Sequence, residues 1–184
     1  MPVYVFEEFF LDMSLRRLIH DPYRLLKVMR LEEGHILLDV GCGTGYLSIP
    51  AASIVGDNGI VYAVDISYKY LWKLELRAAK LGVKNILAVR TGAEELDGIP
   101  DNSVDRAVFM LSLHHIEGKE QALTQVRRKL KQDSLLMVYE PIASRMFGHG
   151  TEPSEIIPLL RQKGFEPQLL EKGRLFWTAL FAPV

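Results

Sequence analysis

The chain has 184 residues, 48% hydrophobic and 24% charged, with a net charge of −1. That is enough chain for one domain with its own core. The balance of 22 basic against 23 acidic residues offers no basic surface for nucleic acid, and the single Cys42 excludes an internal disulfide and a cysteine-built zinc site. No apolar run reaches the roughly 18 residues of a membrane span. The opening MPVYVFEEFF lacks the basic start of a secretory signal, so a cytoplasmic protein without a membrane partner is expected.

In chain order, residues 1–34 read as a helical segment. Phe6, Phe9, Phe10 and Met13 share one helical face, and a second helix opens near Pro22. This segment is expected either as a partial lid over a cleft or as a helix packed on a sheet. From residue 35 to 184 a single α/β domain is expected. HILLDV (35–40), IVYAVD (60–65), NILAVR (85–90), VDRAVFML (104–111) and SLLMVYE (134–140) are nearly continuous apolar runs, as in strands buried on both faces. Helical patterns lie between them. Ser67 is a plausible N-cap for Leu71, Leu74, Ala78 and Leu81, a run ended by Gly82. Leu123, Val126 and Leu130 mark another helix. Ile156, Ile157 and Leu160 mark a third, in which Pro158 sits awkwardly unless the helix starts late, near Ser154.

Repeated strand–helix units with right-handed crossovers give a doubly wound parallel sheet. The end of the chain departs from that pattern. FEPQLLEKG and RLFWTALFAPV are strand-like runs joined at Lys172-Gly173 with no helix between, so an antiparallel C-terminal hairpin is expected.

The stretch LLDVGCGTGYLS (37–48) runs from a strand through a Gly-rich turn into a helix start, the place where open parallel sheets bind ligands. A nicotinamide-dinucleotide fingerprint needs glycine at 41, 43 and 46; here Gly41, Gly43 and Gly45 are followed by Tyr46. Asp65 ends the second strand, twenty residues after Gly45, where a carboxylate can accept from a ribose diol; Ile66 beside it is suited to lie against a flat base.

Together, LLDVGCGTGYLS, VYAVDIS, TGAEELDGIPDNSVDRAVFMLSLHHI and the closing hairpin resemble the class I S-adenosylmethionine-dependent methyltransferases, in particular the branch of ubiquinone/menaquinone biosynthesis and similar small-molecule enzymes. The resemblance implies a Rossmann-like sheet of seven strands with the last pair reversed, and S-adenosyl-L-methionine as cofactor. It implies that Gly41, Gly43 and Gly45 form the loop against the methionine and ribose, and that Asp39 orients that loop and reaches the amino end through water. Asp65 would hold the ribose hydroxyls, with Ile66, Ala93 and Glu94 by the adenine. Leu111 would offer its carbonyl to the methionine end. Relatives often carry an acid before the alanine; here that residue is Gly92, which leaves Glu94 or water to meet the adenine amino group.

His114 and His115 follow the fourth strand. One is expected to face the cleft and the other to pack beneath it; the pair either aids proton removal from the acceptor or is structural. Glu140 after the fifth strand either presents a carboxylate to substrate or is a satisfied turn acid. Cys42 reads as a packing residue, and Tyr46 as either a cap on the methionine tail or core. No metal site is evident. The signatures of base-amino, cysteine-nucleophile, arsenite, protein-arginine and metal-dependent catechol methyltransferases are missing, which leaves a small, apolar or aromatic acceptor or a macromolecular one of another kind. The alternatives are a nicotinamide-dinucleotide oxidoreductase and a non-catalytic S-adenosylmethionine-binding module. Phe9, Phe10, Trp177 and Phe181 form either a homodimer surface or core.

Overall fold

Strand order, rather than strand count, places the site. The computed structural model describes residues 20–184. Its strands are β1 (Ile36–Val40), β2 (Ile60–Asp65), β3 (Ile86–Arg90), β4 (Val104–Met110), β5 (Leu130–Pro141), β6 (Phe165–Lys172) and β7 (Phe176–Pro183). They form one sheet in the order β3-β2-β1-β4-β5-β7-β6. β1 to β5 are parallel, and β7 runs antiparallel to both β5 and β6. The order reverses between β1 and β4, so the crevice at their carboxyl ends is the switch point of the sheet.

The helices are α1 (Pro22–Val28), α2 (Ser48–Val55), α3 (Tyr68–Lys80), α4 (Lys119–Lys129) and α5 (Pro153–Gln162). α1 and α2 bury Leu25, Leu26, Ala51 and Val55 against Leu37, Val61 and Met137 on one face. α4 and α5 bury Leu123, Val126, Ile156 and Leu160 against Phe109, Val138 and Trp177 on the other. Strand residues of alternating parity feed the two clusters, as the pleat requires. α3 adds Leu71 and Leu74 over Ala63. Its Ser67 hydroxyl accepts from Tyr70 N–H at 3.4 Å, the expected cap.

One expectation is corrected: Leu130 leaves the helix and opens β5, with extended backbone (φ −72°, ψ 138°) paired to Val104. α5 begins at Pro153, beside the late start expected near Ser154, and continues through Pro158, which is exposed. Of the two readings of Trp177 and Phe181, core holds, since both are fully buried. The hairpin is borne out, with Gly173 N–H bonded to Phe176 carbonyl at 2.9 Å across its turn. Phe6, Phe9, Phe10 and Met13 and the expected lid lie outside the described residues; the expected helix at Pro22 is present, capped by Asp21. Among the described residues no helix is long and apolar enough to cross a membrane.

Candidate functional site

The three loop glycines at the end of β1 all have positive φ, between 54° and 81°, a region in which only glycine is unstrained. They serve different ends. A Cβ on Gly41 would stand 2.4 Å from Ser112 Cβ, and one on Gly45 would stand 2.7 Å from a Leu74 methyl. These two let neighbouring elements close in. A Cβ on Gly43 would meet nothing within 4 Å. The open space of the loop is therefore at Gly43, and there the backbone can be approached from outside the protein.

The surrounding side chains fix this loop. Asp65 Oδ2 accepts from Gly43 N–H at 2.9 Å, and its Oδ1 accepts from Ser67 N–H at 2.8 Å. Each carboxylate oxygen has a further lone pair, so the group that shapes the loop can still accept from a diol. Ile66 beside it is 72% exposed, a large apolar side chain with no protein over it. Asp39 is buried and its Oδ2 accepts from the Ser48 hydroxyl at 2.5 Å, which joins the end of β1 to the first turn of α2. Arg77 of α3 donates to the Thr44 carbonyl and hydroxyl at 2.9 and 3.1 Å and clamps the loop from outside. Cys42 packs with Leu71 and Leu74; burial, then Asp39 and Asp65, push its thiol well above the usual range. The packing reading of Cys42 agrees with this.

Across the crevice, Leu111 directly follows β4 with φ 55°. That is a costly conformation for a branched side chain, and it turns the chain out of the ladder at the carboxyl edge. Ala93 is buried, and Glu94 Oε1 accepts from Gly118 N–H at 3.2 Å. Glu94 thus holds the start of α4, close to where the adenine role was expected.

Glu140 is fully buried and does not point at a substrate. Its Oε1 accepts from the N–H of Ser112 and Leu113 at 2.8 and 2.9 Å, and its Oε2 from His114 N–H at 3.3 Å and His114 Nδ1 at 2.6 Å. The carboxyl end of β5 thereby pins the short helical turn Leu113–His115. Because that segment is a turn and not strand, the two histidines do not face opposite ways. Their rings lie 3.9 Å apart, with His115 exposed and His114 mostly covered. The contact engages His114 Nδ1 and leaves Nε2 as the ring nitrogen not bonded to Glu140. Ser112 and Arg77 carry no local sequence signal; they matter because folding brings them to the loop.

The crevice lies at the switch point, with an open backbone position, a shaped carboxylate and an exposed apolar cover. Residues 31–165 match the family model described as a methyltransferase domain. The chain belongs to the class I S-adenosylmethionine-dependent methyltransferases. It is similar to the ubiquinone/menaquinone biosynthesis C-methyltransferase UbiE of Blochmanniella pennsylvanica, with 32% identity over 66% of this chain and 49% of that protein. It is also similar to the demethylmenaquinone methyltransferase of Geobacillus stearothermophilus, with 28% identity over 73% of this chain and 57% of that protein. The methyltransferase chain thus spans about half the length of the curated relatives it matches. Its fold superposes on a SAM-dependent methyltransferase of Aquifex aeolicus with a TM-score of 0.83, 26% identity and 95% coverage of both chains. The cofactor of this methyltransferase is S-adenosyl-L-methionine, and the space over Gly43 beside Asp65 fits it: a bare peptide unit and a diol acceptor stand side by side. Tyr46, in place of the fingerprint's third glycine, donates its hydroxyl to His20 carbonyl at 2.8 Å and ties the loop to the chain before α1.

Proposed function

We propose that the protein transfers a methyl group from S-adenosylmethionine to a small aromatic or otherwise apolar acceptor. The observation that carries this reading is the open backbone at Gly43 with the Asp65 carboxylate bonded to it, in a chain of this family. Both curated relatives are named for methylation of quinones or in their biosynthesis, which supports a ring-bearing, apolar acceptor.

When bound, the cofactor supplies an electrophilic methyl group on a sulfonium that leaves readily. The chain's own part is placement. Gly41, Gly43 and Gly45 form the loop beside the methionine and ribose. Asp65 accepts from the ribose hydroxyls, Ile66 covers the base with Ala93 and Glu94 near it, and Asp39 and the Leu111 carbonyl serve the methionine end. His114 takes the proton of a hydroxyl acceptor at Nε2, since Glu140 occupies Nδ1 at 2.6 Å. His115 stacks on that ring.

Calorimetric titration tests the donor half. S-adenosylmethionine should bind, NAD should not, and D65A should weaken binding about tenfold or more, as expected for loss of hydrogen bonds to a charged group. Labelled-methyl transfer to low-mass lysate fractions tests the acceptor half. H114A should lower turnover by about 10²–10⁴, the usual worth of a general base, and H115A should lower it far less. Tight cofactor binding with no labelled acceptor in any fraction would identify a non-catalytic module. Unchanged turnover in H114A would remove the proton-acceptor role.

A further inference from the structure

The two edges of the sheet differ. β6 is defended against pairing: it carries Pro167, a register shift between Pro167 and Leu169, and exposed Glu166 and Glu171. β3, the last strand on the other side among the described residues, reads ILAVR and pairs with β2 in unbroken register. We infer that β3 docks on β3 of a second copy of this chain and joins two sheets into one across a twofold axis at Ala88. This goes beyond the donor reading and does not depend on it. The backbone defines the edge. The Asn85 carbonyl accepts from Val61 N–H at 2.9 Å. The N–H and C=O of one residue point to the same side of a strand, and the side alternates along the chain. Asn85, Leu87 and Val89 therefore face β2. Ile86, Ala88 and Arg90 turn their N–H and C=O groups outward.

That edge is complementary to itself. In antiparallel pairing about Ala88, Ala88 lies opposite Ala88 of the second copy, and Ile86 lies opposite Arg90. These are the outward residues, so every outward N–H and C=O of both strands finds a partner. Leu87 falls opposite Val89 at a close, non-hydrogen-bonded position on the face away from α3. Leu87 is 46% exposed in the single chain, and this contact covers it. An extended peptide of another protein is the rival occupant of an open edge; the self-matching register favours a second copy.

α3 supplies the apolar area. Leu71 and Leu74 seat it on Ala63, Ile86 and Ala88, so it lies over β2 and β3. Arg77 reaches inward from it to Thr44. At 3.6 residues per turn, Tyr68, Trp72 and Ala79 lie within about 40° of one another and roughly half a turn from Arg77. They therefore stand on the side of the open edge, where Glu75 is the one charge. Tyr68 is 65% and Trp72 49% exposed, with Leu76 beside them at 42%. Strands are about 4.8 Å apart, so the two α3 axes would stand two spacings apart, about 10 Å, the separation of packed helices. The exposed parts of Tyr68 and Trp72 alone amount to about 230 Å². With Leu76, Leu87 and the strand edge, the contact reaches on the order of 600 Å² per chain, the lower end for a stable pair.

Sedimentation velocity of the full chain, from about 1 to about 200 μM, tests this. The chain should pass from monomer to dimer with a dissociation constant on the order of 10 μM, as a small interface allows. Of the two tryptophans Trp177 is fully buried, so a blue shift of emission over the same range reports the covering of Trp72. A88P removes an outward N–H at the axis and leaves the bonds to β2 intact. W72E places a charge in the helix contact. Each should weaken the dimer at least tenfold and keep the far-ultraviolet circular dichroism of the parent. W72E decides alone if A88P does not fold. A parent that stays monomeric at the highest concentration, or that forms open-ended oligomers, would overturn the inference. So would a dimer that survives either folded variant unchanged, because the contact then lies on another surface.

Discussion

Gly41 and Gly43 share the left-handed region of backbone space, at φ 75° and 54°, yet a methyl group added to each meets different surroundings. At Gly41 it overlaps Ser112, whose hydroxyl donates to the Val40 carbonyl at 2.6 Å and so stitches β1 to the exit of β4. G41A should therefore combine backbone strain with a steric clash and cost about 2–4 kcal/mol in urea denaturation. At Gly43 only the strain remains, about 1 kcal/mol. G43A should fold nearly as well as the parent and bind S-adenosylmethionine at least tenfold more weakly, because its methyl group would stand in the open space proposed for the cofactor. Equal loss of stability in the two variants, or full cofactor affinity in G43A, would overturn this division. The sequence shows three glycines between a strand and a helix, and that is enough to find the loop. It cannot show which glycine faces a neighbour and which faces open space, because Ser112 and Leu74 come to the loop only through the fold. Glu140 is the same kind of case: its position after β5 marks it as a strand-end acid, and its four donors come from residues 112 to 114 across the sheet.

Among the elements, α5 carries a cost that the sequence announces. Pro158 is the sixth residue of the helix, so no N–H reaches the Ser154 carbonyl one turn back. Both residues are exposed, which lets water satisfy that carbonyl and explains why the helix starts at Pro153 without breaking. P158A should restore the bond and raise stability by about 1–3 kcal/mol, read as a higher urea midpoint at unchanged slope. A midpoint equal to or below the parent's would mean that the proline's stiffening of the unfolded chain outweighs the missing bond. The strands were legible because buried parallel strands are written as apolar runs, and the hairpin because no helical pattern separates its arms. The boundary at Leu130 was not. Its spacing from Leu123 and Val126 continues the helix, and pairing with Val104 overrides that local signal. The insertion of β7 between β5 and β6 is likewise a tertiary outcome.

Across the whole molecule, the proposed chemistry and the cohesion occupy opposite ends of the sheet. The Gly41–Gly45 loop, Asp65, Leu111 and His114 stand at the carboxyl ends of the parallel strands. At the amino ends, Asp105 Oδ2 accepts from Ile36 N–H at 2.8 Å and its Oδ1 meets Lys131 Nζ at 2.7 Å, joining β1, β4 and β5. Arg106 reaches the Met29 carbonyl at 2.7 Å and ties the end of α1 to the same corner. Burial pushes the Asp105 carboxyl up, but the Ile36 N–H and Lys131 together hold it below its ordinary 3.8. A carboxyl lowered by folding contributes fully above that value, and the contribution is lost as pH falls through the lower folded value. Burial and then Arg106 lower His35 from 6.5, so its contribution is full above 6.5 and declines as pH falls through the lowered value. The protein should therefore lose stability towards acid in two stages. D105A leaves the Ile36 N–H without its acceptor and should cost about 1–3 kcal/mol at neutral pH. It should also flatten the stage below pH 3.8, and steepen the upper one because Asp105 holds the His35 value up. Cofactor affinity at neutral pH should stay within twofold, since the substitution lies at the far end of the sheet. Urea midpoints measured from about pH 8 down to about pH 2.5, with calorimetry at pH 7, decide it. An unchanged pH profile would show that the corner is not held by this carboxylate, and a fall in cofactor affinity would show that the two ends of the sheet are coupled.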